Sequence, residues 1–254
     1  IWGGIIGLGV LIYVVMDGFD LGIGILFPFI PDRQERDVMM NTVAPVWDGN
    51  ETWMVLGGAG LFAAFPLVYS TVLSALYLPI IFMVVALIFR GVAFEFRFKA
   101  TRTKYLWDQA FIWGSILSSF FQGVILGAYI QGIQTTAGIY SGGVWDWFTP
   151  FSLFTGLGVV VMYATLGCGW LILKTEARLQ DIMYTLMPKL LITLMIIFAA
   201  VSIYTPITHP EIAQRWFALP NLIYFSPVPI LVVLFSGLIL HSCNYHIYSY
   251  ILFL

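Results

Sequence analysis

The sequence predicts an all-α fold, a polytopic bundle of transmembrane helices with about seven spans in this chain. Of its 254 residues, 60% are hydrophobic and only 9% are charged, and the mean hydropathy is +0.93. A soluble domain carries about a quarter charged residues, so most of this surface must face lipid. We interpret residues 1–254 as a single integral membrane domain. The net charge of -2 gives no indication of a nucleic-acid partner.

The individual spans follow from the apolar runs, because a helix needs roughly 20 mostly apolar residues to cross the hydrocarbon core. Seven stretches meet or nearly meet this length. In chain order the predicted spans are 5–30, 52–68, 73–96, 108–131, 150–173, 183–205 and a seventh that starts near Leu222.

The distribution of basic residues predicts the orientation of these spans. Ten of the eleven lysines and arginines lie in or beside the odd-numbered loops, and only Arg215 lies in an even-numbered one. Loops that are rich in Lys and Arg stay in the cytoplasm. We therefore expect the odd loops to be cytoplasmic and the N-terminus to face the outside.

Ionisable side chains inside the predicted spans are the candidates for chemistry, because such groups are costly in a membrane and usually functional. Asp17 and Asp20 lie one helical turn apart on the same face of the first span. Asp20 is expected about 15 Å from the cytoplasmic end of that helix. The polar start of the second span and two charged residues of the third lie at the same depth: Trp47, Asp48, Asn50, Glu51, Trp53, Arg90 and Glu95.

Two interpretations of this polar set remain open from the residues alone. In the functional one, four carboxylates form a proton-uptake path from the cytoplasm: Asp17, Asp20, Asp48 and Glu51. In the structural one, Asp48 or Asn50 caps the second helix, Arg90 neutralises an aspartate and Glu95 is solvated. We favour the functional role for Asp17 and Asp20, since one arginine cannot neutralise all of these acids.

The histidines argue against a haem site within this chain. Haem iron is generally held by a His, Met, Cys or Tyr that projects from a packed helix. The three histidines are His209, in an outer loop, and His241 and His246, near the C-terminal end. We therefore expect no bound cofactor and no metal, and the chain alone does not have the residues of a complete redox enzyme.

Three ordered stretches match one family. They are DGFDLGIG at 17–24, APVWDGNETW at 44–53 with GLFAAFP at 60–66, and FRGVAFEFR at 89–97. The chain resembles subunit II of bd-type (cyanide-insensitive-like) quinol oxidases. In that family Asp48 corresponds to an aspartate on a proton path toward the haems of subunit I.

The resemblance implies a role in a terminal respiratory quinol:dioxygen oxidoreductase. This chain would be the haem-free subunit II of a heterodimer in the prokaryotic cytoplasmic (inner) membrane. It would support subunit I, which carries the b-type and d-type haems, and would provide the cytoplasmic proton-uptake path. Quinol is then the substrate of the complex. Lipid and quinone are expected around the chain, and the presence of small accessory subunits stays open.

The family also sets expectations that this chain does not fully meet. Its fold is two four-helix bundles, so we assign residues 1–131 to the first bundle and 150–254 to an incomplete second one. The tail from about residue 241 is atypical, and we expect a truncation, a frameshift or a divergence there.

Two other classes remain as alternatives. In a subunit of a secondary transporter or ion channel, the mid-membrane aspartates would bind coupling ions, although we find no inverted repeat. In a purely structural subunit, the acids would only pair and cap. The substitution Asp48→Asn separates the last class from the proton path, because it keeps capping ability and removes the titratable group.

Overall fold

A computed structural model describes the backbone of residues 1–253 and the side chains of residues 1–246. The all-α prediction is confirmed. The helices are α1 (Trp2–Leu26, continued by a 3-10 turn over Phe27–Phe29), α2 (Arg33–Val43), α3 (Trp47–Ala64), α4 (Pro66–Arg97), α5 (Lys104–Gln131), α6 (Pro150–Lys174), α7 (Ala177–Thr208), α8 (Pro210–Phe217), α9 (Asn221–Phe225) and α10 (Pro227–Phe253). A small antiparallel hairpin, β1 (Thr135–Thr136) and β2 (Ile139–Tyr140), lies between α5 and α6.

Within the described residues, six helices are long and apolar enough to cross a membrane. The predicted second span, α3, is the exception, because its first turn is polar. It nevertheless runs antiparallel to α1. Near its start Asn50 contacts Asp20, and farther along Gly60 lies against Ile6. Since α3 covers the same depth as α1, the count of seven spans stays our prediction.

The predicted end of the second span, at residue 68, is wrong. The helix α3 ends at Ala64, Phe65 alone links it to the next helix, and Pro66 begins α4. Proline disfavours helical geometry at the residue before it but suits the first turn of a new helix. Helix α4 therefore starts seven residues earlier than position 73. It kinks at Leu76, just before Pro79.

The first loop contains a helix that the hydropathy pattern did not reveal. Helix α2 begins after Asp32, whose side chain accepts a hydrogen bond from the backbone N–H of Gln34 at 2.8 Å. This cap satisfies a backbone donor that the helix itself cannot. One face of α2 buries Met39, Met40 and Val43. The helix is amphipathic, so a search for long apolar runs does not find it.

The chain packs as two compact units, Ile1–Thr175 and Glu176–Leu254. Helix α6 belongs to the first unit, whereas the predicted division at residues 131 and 150 placed it with the later helices. Glycines explain this packing: a side chain at Gly22 would overlap the backbone of Tyr163 and Gly167, and one at Gly123 would overlap Gly156. Small residues allow such close backbone approach between membrane helices.

In the second unit, α7 and α10 pack against each other. The Ser236 hydroxyl donates to the Met195 sulfur at 3.3 Å, and His246 lies 3.3 Å from Asp181. Helix α10 continues through the predicted atypical tail. The side chains of that tail are described as far as His246, and those from residue 247 onward lie outside the described residues.

One end of the first unit gathers the basic residues of the odd-numbered loops. Arg97 of α4 pairs with both Asp37 and Asp108, whereas Arg36 of α2 pairs with Asp108 and Lys104 of α5 pairs with Asp37. This grouping is what the positive-inside rule requires of a cytoplasmic face. The orientation, with the N-terminus outside, remains a prediction and is used below to name the two ends of the bundle.

Candidate functional site

The most unusual feature of the first unit is a fully buried arginine that serves several carboxylates. Arg90 of α4 is 0% exposed, and its Nη1 donates to Asp17 Oδ1 of α1 at 3.1 Å. The same nitrogen reaches Glu51 Oε2 of α3 at 3.5 Å. Three consecutive spans of the sequence thus converge on one guanidinium. We call Asp17, Asp20, Asn50, Glu51 and Arg90 the Arg90 cluster.

The second aspartate of α1 has a neutral partner. Asp20 is fully buried, and its Oδ2 accepts a hydrogen bond of 2.8 Å from Asn50 Nδ2. The same amide approaches the Met16 carbonyl at 3.4 Å. Asn50 therefore does not cap its own helix, as one interpretation had it. It fixes the side chain of Asp20 across the α1–α3 contact.

The charges of the Arg90 cluster do not balance. Three carboxylates face one guanidinium, and two of the carboxylates are fully buried. An ionised carboxylate in a low-dielectric interior costs several kcal/mol unless it is paired and hydrogen-bonded. Bound protons relieve this cost, so the cluster is suited to take up and release protons.

Hydrogen-bonding capacity also remains within the cluster. Four buried atoms have no partner among the described residues: Asp17 Oδ2, Asp20 Oδ1, and Arg90 Nε and Nη2. Buried water characteristically bridges such polar atoms, and each molecule makes about three hydrogen bonds. The cluster therefore has the polar groups that a chain of water molecules needs in order to connect its carboxylates.

Exposure falls along the cluster from one end of the bundle toward its middle. Asp48, in the first turn of α3, is exposed, the Glu51 side chain is 24% exposed, and Asp17 is fully buried. At 1.5 Å per residue, Asp17 lies about 13 Å from the end of α1 at Leu26. The acids thus form a series from the predicted cytoplasmic surface into the membrane-spanning core.

Asp48 is not a helix cap, which was the structural interpretation of this residue. The N-cap position of α3 is Val46, and no side chain caps it. Asp48 lies one residue inside the helix, and among the described residues none donates a hydrogen bond to its carboxylate. Its acidic side chain in the first turn still complements the helix dipole.

The remaining predicted residues surround the cluster without joining it. Glu95 is 66% exposed and pairs with Lys99 one turn along α4, which fits the solvated role considered for it. Trp47 stacks on Phe94 with ring centroids 4.8 Å apart, and Arg90 lies over the Phe94 ring at 5.6 Å. Trp53 is only partly buried on α3. The two tryptophans therefore contribute packing, not titratable groups.

A hydrogen-bonded network that the sequence did not suggest joins α1, α5 and α6 next to the cluster. Tyr13 lies one turn before Asp17 on α1. Gln122 Nε2 of α5 lies 2.8 Å from the Tyr13 hydroxyl, and Tyr163 of α6 donates to Gln122 Oε1 at 2.7 Å. Single tyrosines and glutamines in apolar helices have no distinctive spacing, so only the packing relates them.

A second charge cluster, also missed, lies at the predicted cytoplasmic end. Arg97 is fully buried and pairs with Asp108 of α5 and with Asp37 of α2 at 2.6 Å. Lys104 also reaches Asp37, at 2.8 Å, and Arg36 reaches Asp108 at 3.4 Å. We call these five residues the Arg97 cluster. Each of its aspartates has two cationic partners, so its function in the fold is to hold α2 against α4 and α5.

The three histidines all lie in the second unit, whereas the two charge clusters belong to the first unit. His246 stacks on Tyr184 at 3.8 Å and lies 3.3 Å from Asp181, while His241 is exposed on α10. His209 ends α7 at the start of a short surface helix. Within the described residues there is also no group of three or more His, Cys, Asp or Glu that could hold a metal ion.

These observations define the class of protein: a multi-pass membrane protein in which several carboxylates and one arginine are buried among the helices. The family described as cytochrome bd terminal oxidase subunit II matches residues 1–254, and the chain belongs to that family. This confirms the resemblance in the three sequence stretches. Members of this family are multi-pass proteins of the prokaryotic cytoplasmic membrane, and the six apolar helices agree with that location.

Curated relatives give the same result. Cytochrome bd-I ubiquinol oxidase subunit 2 of Escherichia coli K12 is 34% identical over 188 residues, which cover 71% of this chain and 50% of the relative. Cytochrome bd ubiquinol oxidase subunit 2 of Bacillus subtilis is 33% identical over 199 residues, covering 76% and 59%. A probable cytochrome oxidase subunit 2 of Haemophilus influenzae is 33% identical over 189 residues, covering 71% and 50%. The chain thus spans about half the length of the curated relatives it matches.

Proposed function

We propose that this chain acts as the haem-free subunit II of a bd-type quinol:dioxygen oxidoreductase and provides its cytoplasmic proton-uptake path. The observation that carries the proposal is the Arg90 cluster, in which one buried guanidinium pairs with Asp17 and Glu51 and a third acid, Asp20, is bound only by Asn50. Membership of the family favours this function over that of a transporter or channel subunit.

The order of the groups along the path follows from their exposure. Asp48 is the group that bulk water reaches, and Glu51 is the partly exposed carboxylate that follows it one turn into α3. A proton accepted by Glu51 is then next to Arg90, whose other carboxylate partner is Asp17. Asp20, held by Asn50, is the fourth acid within the same buried region.

Arg90 gives this path its electrostatic character. A fixed positive charge favours the ionised form of a neighbouring carboxylate, and with three acids in the cluster this charge stays compensated when one of them is protonated. Because Arg90 is fully buried, its charge acts with little screening by solvent. The guanidinium therefore holds the acids together and is not itself a proton carrier.

Reduction of dioxygen consumes protons at haem, and the haems of this complex belong to the partner in our proposal. When bound in subunit I, they supply the redox chemistry, and the present chain supplies none. Its own contribution is to support subunit I, to exclude bulk water around α1, α3 and α4, and to deliver protons through named carboxylates. Quinol is the substrate of the complex, and lipid covers the exposed apolar helix faces.

The first experiment tests the partnership. A tagged copy of this chain is co-expressed with a bd-type subunit I, purified on the tag and examined by a reduced-minus-oxidised haem spectrum. We expect b-type and d-type haem bands to be retained with the tagged chain. A folded but colourless product would contradict the proposed complex.

A further inference from the structure

A cleft lies at the opposite end of the first unit from the Arg97 cluster. It has a volume of about 410 Å³, and it is lined by α4 around its kink, by the end of α5 and by the loop that leads to α6. Clefts of this size commonly hold small ligands. No residue of the Arg90 cluster or the Arg97 cluster lines it. The cleft is therefore a separate candidate for ligand binding.

The cleft offers N–H groups that lack acceptors. The Trp147 side chain lines it and is 4% exposed, and its Nε1–H has no partner among the described residues. An indole N–H can only donate, so a buried one calls for an acceptor on a bound molecule or water. Gln131 also lines the cleft, and its Oε1 accepts from the Thr149 hydroxyl at 2.5 Å, which leaves its amide N–H groups for another acceptor. Together these donors suit a phosphate oxygen.

The cleft also offers acceptors. Asp146 lines it, and its Oδ2 accepts hydrogen bonds from the Tyr140 hydroxyl at 3.0 Å and from the Gly143 N–H at 2.8 Å. Both bonds end on the same oxygen, so Oδ1 is available to a further donor. The kink of α4 contributes another acceptor, because Pro79 has no N–H to donate to the carbonyl of Ala75, four residues earlier on the wall of the cleft. A carboxylate oxygen and a backbone carbonyl together suit an ammonium group.

The charge around the cleft disfavours an anionic ligand. Asp146 is the only charged residue in the stretch 132–149, and the stretch 65–89 has none. A ligand with a net negative charge would therefore meet a carboxylate and no cation. A zwitterion satisfies both sets of groups, since its phosphate accepts from the N–H donors and its ammonium donates to the acceptors. The aromatic rings of Tyr140 and Trp145, which also line the cleft, favour an ammonium group as well.

We propose that this cleft binds the headgroup of a zwitterionic phospholipid with a primary ammonium group, phosphatidylethanolamine. Its phosphodiester accepts hydrogen bonds from Trp147 and Gln131, and its ammonium donates to Asp146 and to the Ala75 carbonyl. A lipid suits this place better than a soluble molecule with the same headgroup, because the cleft lies at the end of apolar spans whose outer faces are exposed. Trp and Tyr side chains are also typical of the membrane interface. Such a lipid site is independent of the proton path through the Arg90 cluster.

The test measures lipid binding to the tagged full chain, purified with the partner that it retains and stripped of lipid in detergent. Phosphatidylethanolamine or phosphatidylglycerol is added, and bound lipid per chain is measured by native mass spectrometry. We expect the wild type to bind phosphatidylethanolamine about tenfold more tightly, because only that lipid donates a charge-assisted hydrogen bond to Asp146. Asp146→Asn keeps the shape of the side chain and should abolish this preference. Trp147→Phe should weaken both lipids about three- to tenfold, since both carry a phosphate.

The matched controls are Glu211→Gln, at an exposed acid on α8, and Trp113→Phe, at a tryptophan on α5 that is 55% exposed. Both should bind the two lipids as the wild type does. Equal affinity for the two lipids in the wild type, or an unchanged preference in Asp146→Asn, would overturn the proposal. Soluble phosphoethanolamine that binds as tightly as the lipid would overturn it too. If Trp147→Phe folds poorly, Asp146→Asn decides the outcome, since it changes an exposed side chain without altering its shape.

Discussion

The two charge clusters of the first unit both join a buried arginine to carboxylates but differ in the ratio of acids to cations. In the Arg97 cluster, three cations serve two aspartates, and each aspartate has two cationic partners. In the Arg90 cluster, one cation serves up to three carboxylates, and Asp20 has only an amide as its partner. A cluster in which every acid has a cationic partner keeps a fixed arrangement, whereas an excess of buried acids needs protons to reach neutrality.

The two clusters also lie at different depths in the bundle. The Arg97 cluster joins the amphipathic helix α2 to the ends of α4 and α5, where half-exposed partners such as Lys104 reach solvent. The Arg90 cluster lies deeper, between α1, α3 and α4, and its central pair is fully buried. The Arg97 cluster therefore lies near one end of the bundle, and the carboxylates of the proposed proton path extend into the membrane-spanning region.

The largest expected effect comes from removing the only cation of the Arg90 cluster. In Arg90→Met, Asp17 and Asp20 become buried acids without compensation, which costs about 3–5 kcal/mol when they remain ionised. We expect loss of turnover and poor assembly with subunit I, measured as haem retained per tagged chain. Assembly and turnover at normal levels would show that the carboxylates do not depend on this guanidinium.

A smaller loss of turnover is expected when a carboxylate near the surface is replaced. The loss should be larger for the carboxylate that lies deeper in the bundle. Glu51→Gln keeps the shape of the side chain and should lower turnover by roughly tenfold or more, because proton transfer through a positioned group is lost. Asp48→Asn, at an exposed position, should lower it less, since bulk water also supplies protons to Glu51. Turnover per haem measures both. A larger effect of Asp48→Asn would reverse the proposed order.

The smallest effect is expected from Asp37 in the Arg97 cluster. Partial burial raises the pKa of Asp37, but hydrogen bonds from Lys104 and Arg97 outweigh this and hold the pKa below its usual value. The resulting stabilisation is present above the ordinary aspartate pKa and is lost as the pH falls through the lower folded-state pKa. Because Asp37 is half-exposed, it amounts to about 1 kcal/mol or less.

The measurement for Asp37 is the temperature at which half of the detergent-solubilised complex unfolds, recorded from neutral pH down to the acid range. Asp37→Asn should lower this temperature slightly at neutral pH and lose the difference at low pH. Turnover per haem should stay normal. A large loss of turnover would show that the Arg97 cluster has a catalytic role after all.

Much of the fold could be predicted from the sequence because lipid imposes a simple rule on helix length and polarity. The ends of α5 and α6 lie within a few residues of their predicted positions. The errors have local causes. Pro66 begins a new helix, so α3 ends before residue 68, where hydropathy placed its end. The amphipathic pattern of α2 is not visible in a search for long apolar runs.

The candidate site was predictable in part for a related reason. A charge in an apolar helix stands out, so Asp17, Asp20, Glu51 and Arg90 were found, and the depth of each followed from helix geometry. Which acid contacts the arginine depends on helix rotation, which the sequence does not specify; Glu51 joins Arg90 and Glu95 does not. Tyr13 and Gln122 could not be found, because neither residue type is unusual in a membrane helix.

The most direct test of the account compares one carboxylate from each cluster in the purified complex. Asp17→Asn and Asp108→Asn make the same chemical change at two buried aspartates, each bound to a buried arginine. We predict that Asp17→Asn retains haem but loses at least about tenfold in turnover per haem. Asp108→Asn should unfold at a lower temperature and turn over normally per haem. Normal turnover in Asp17→Asn would contradict a proton path through the Arg90 cluster.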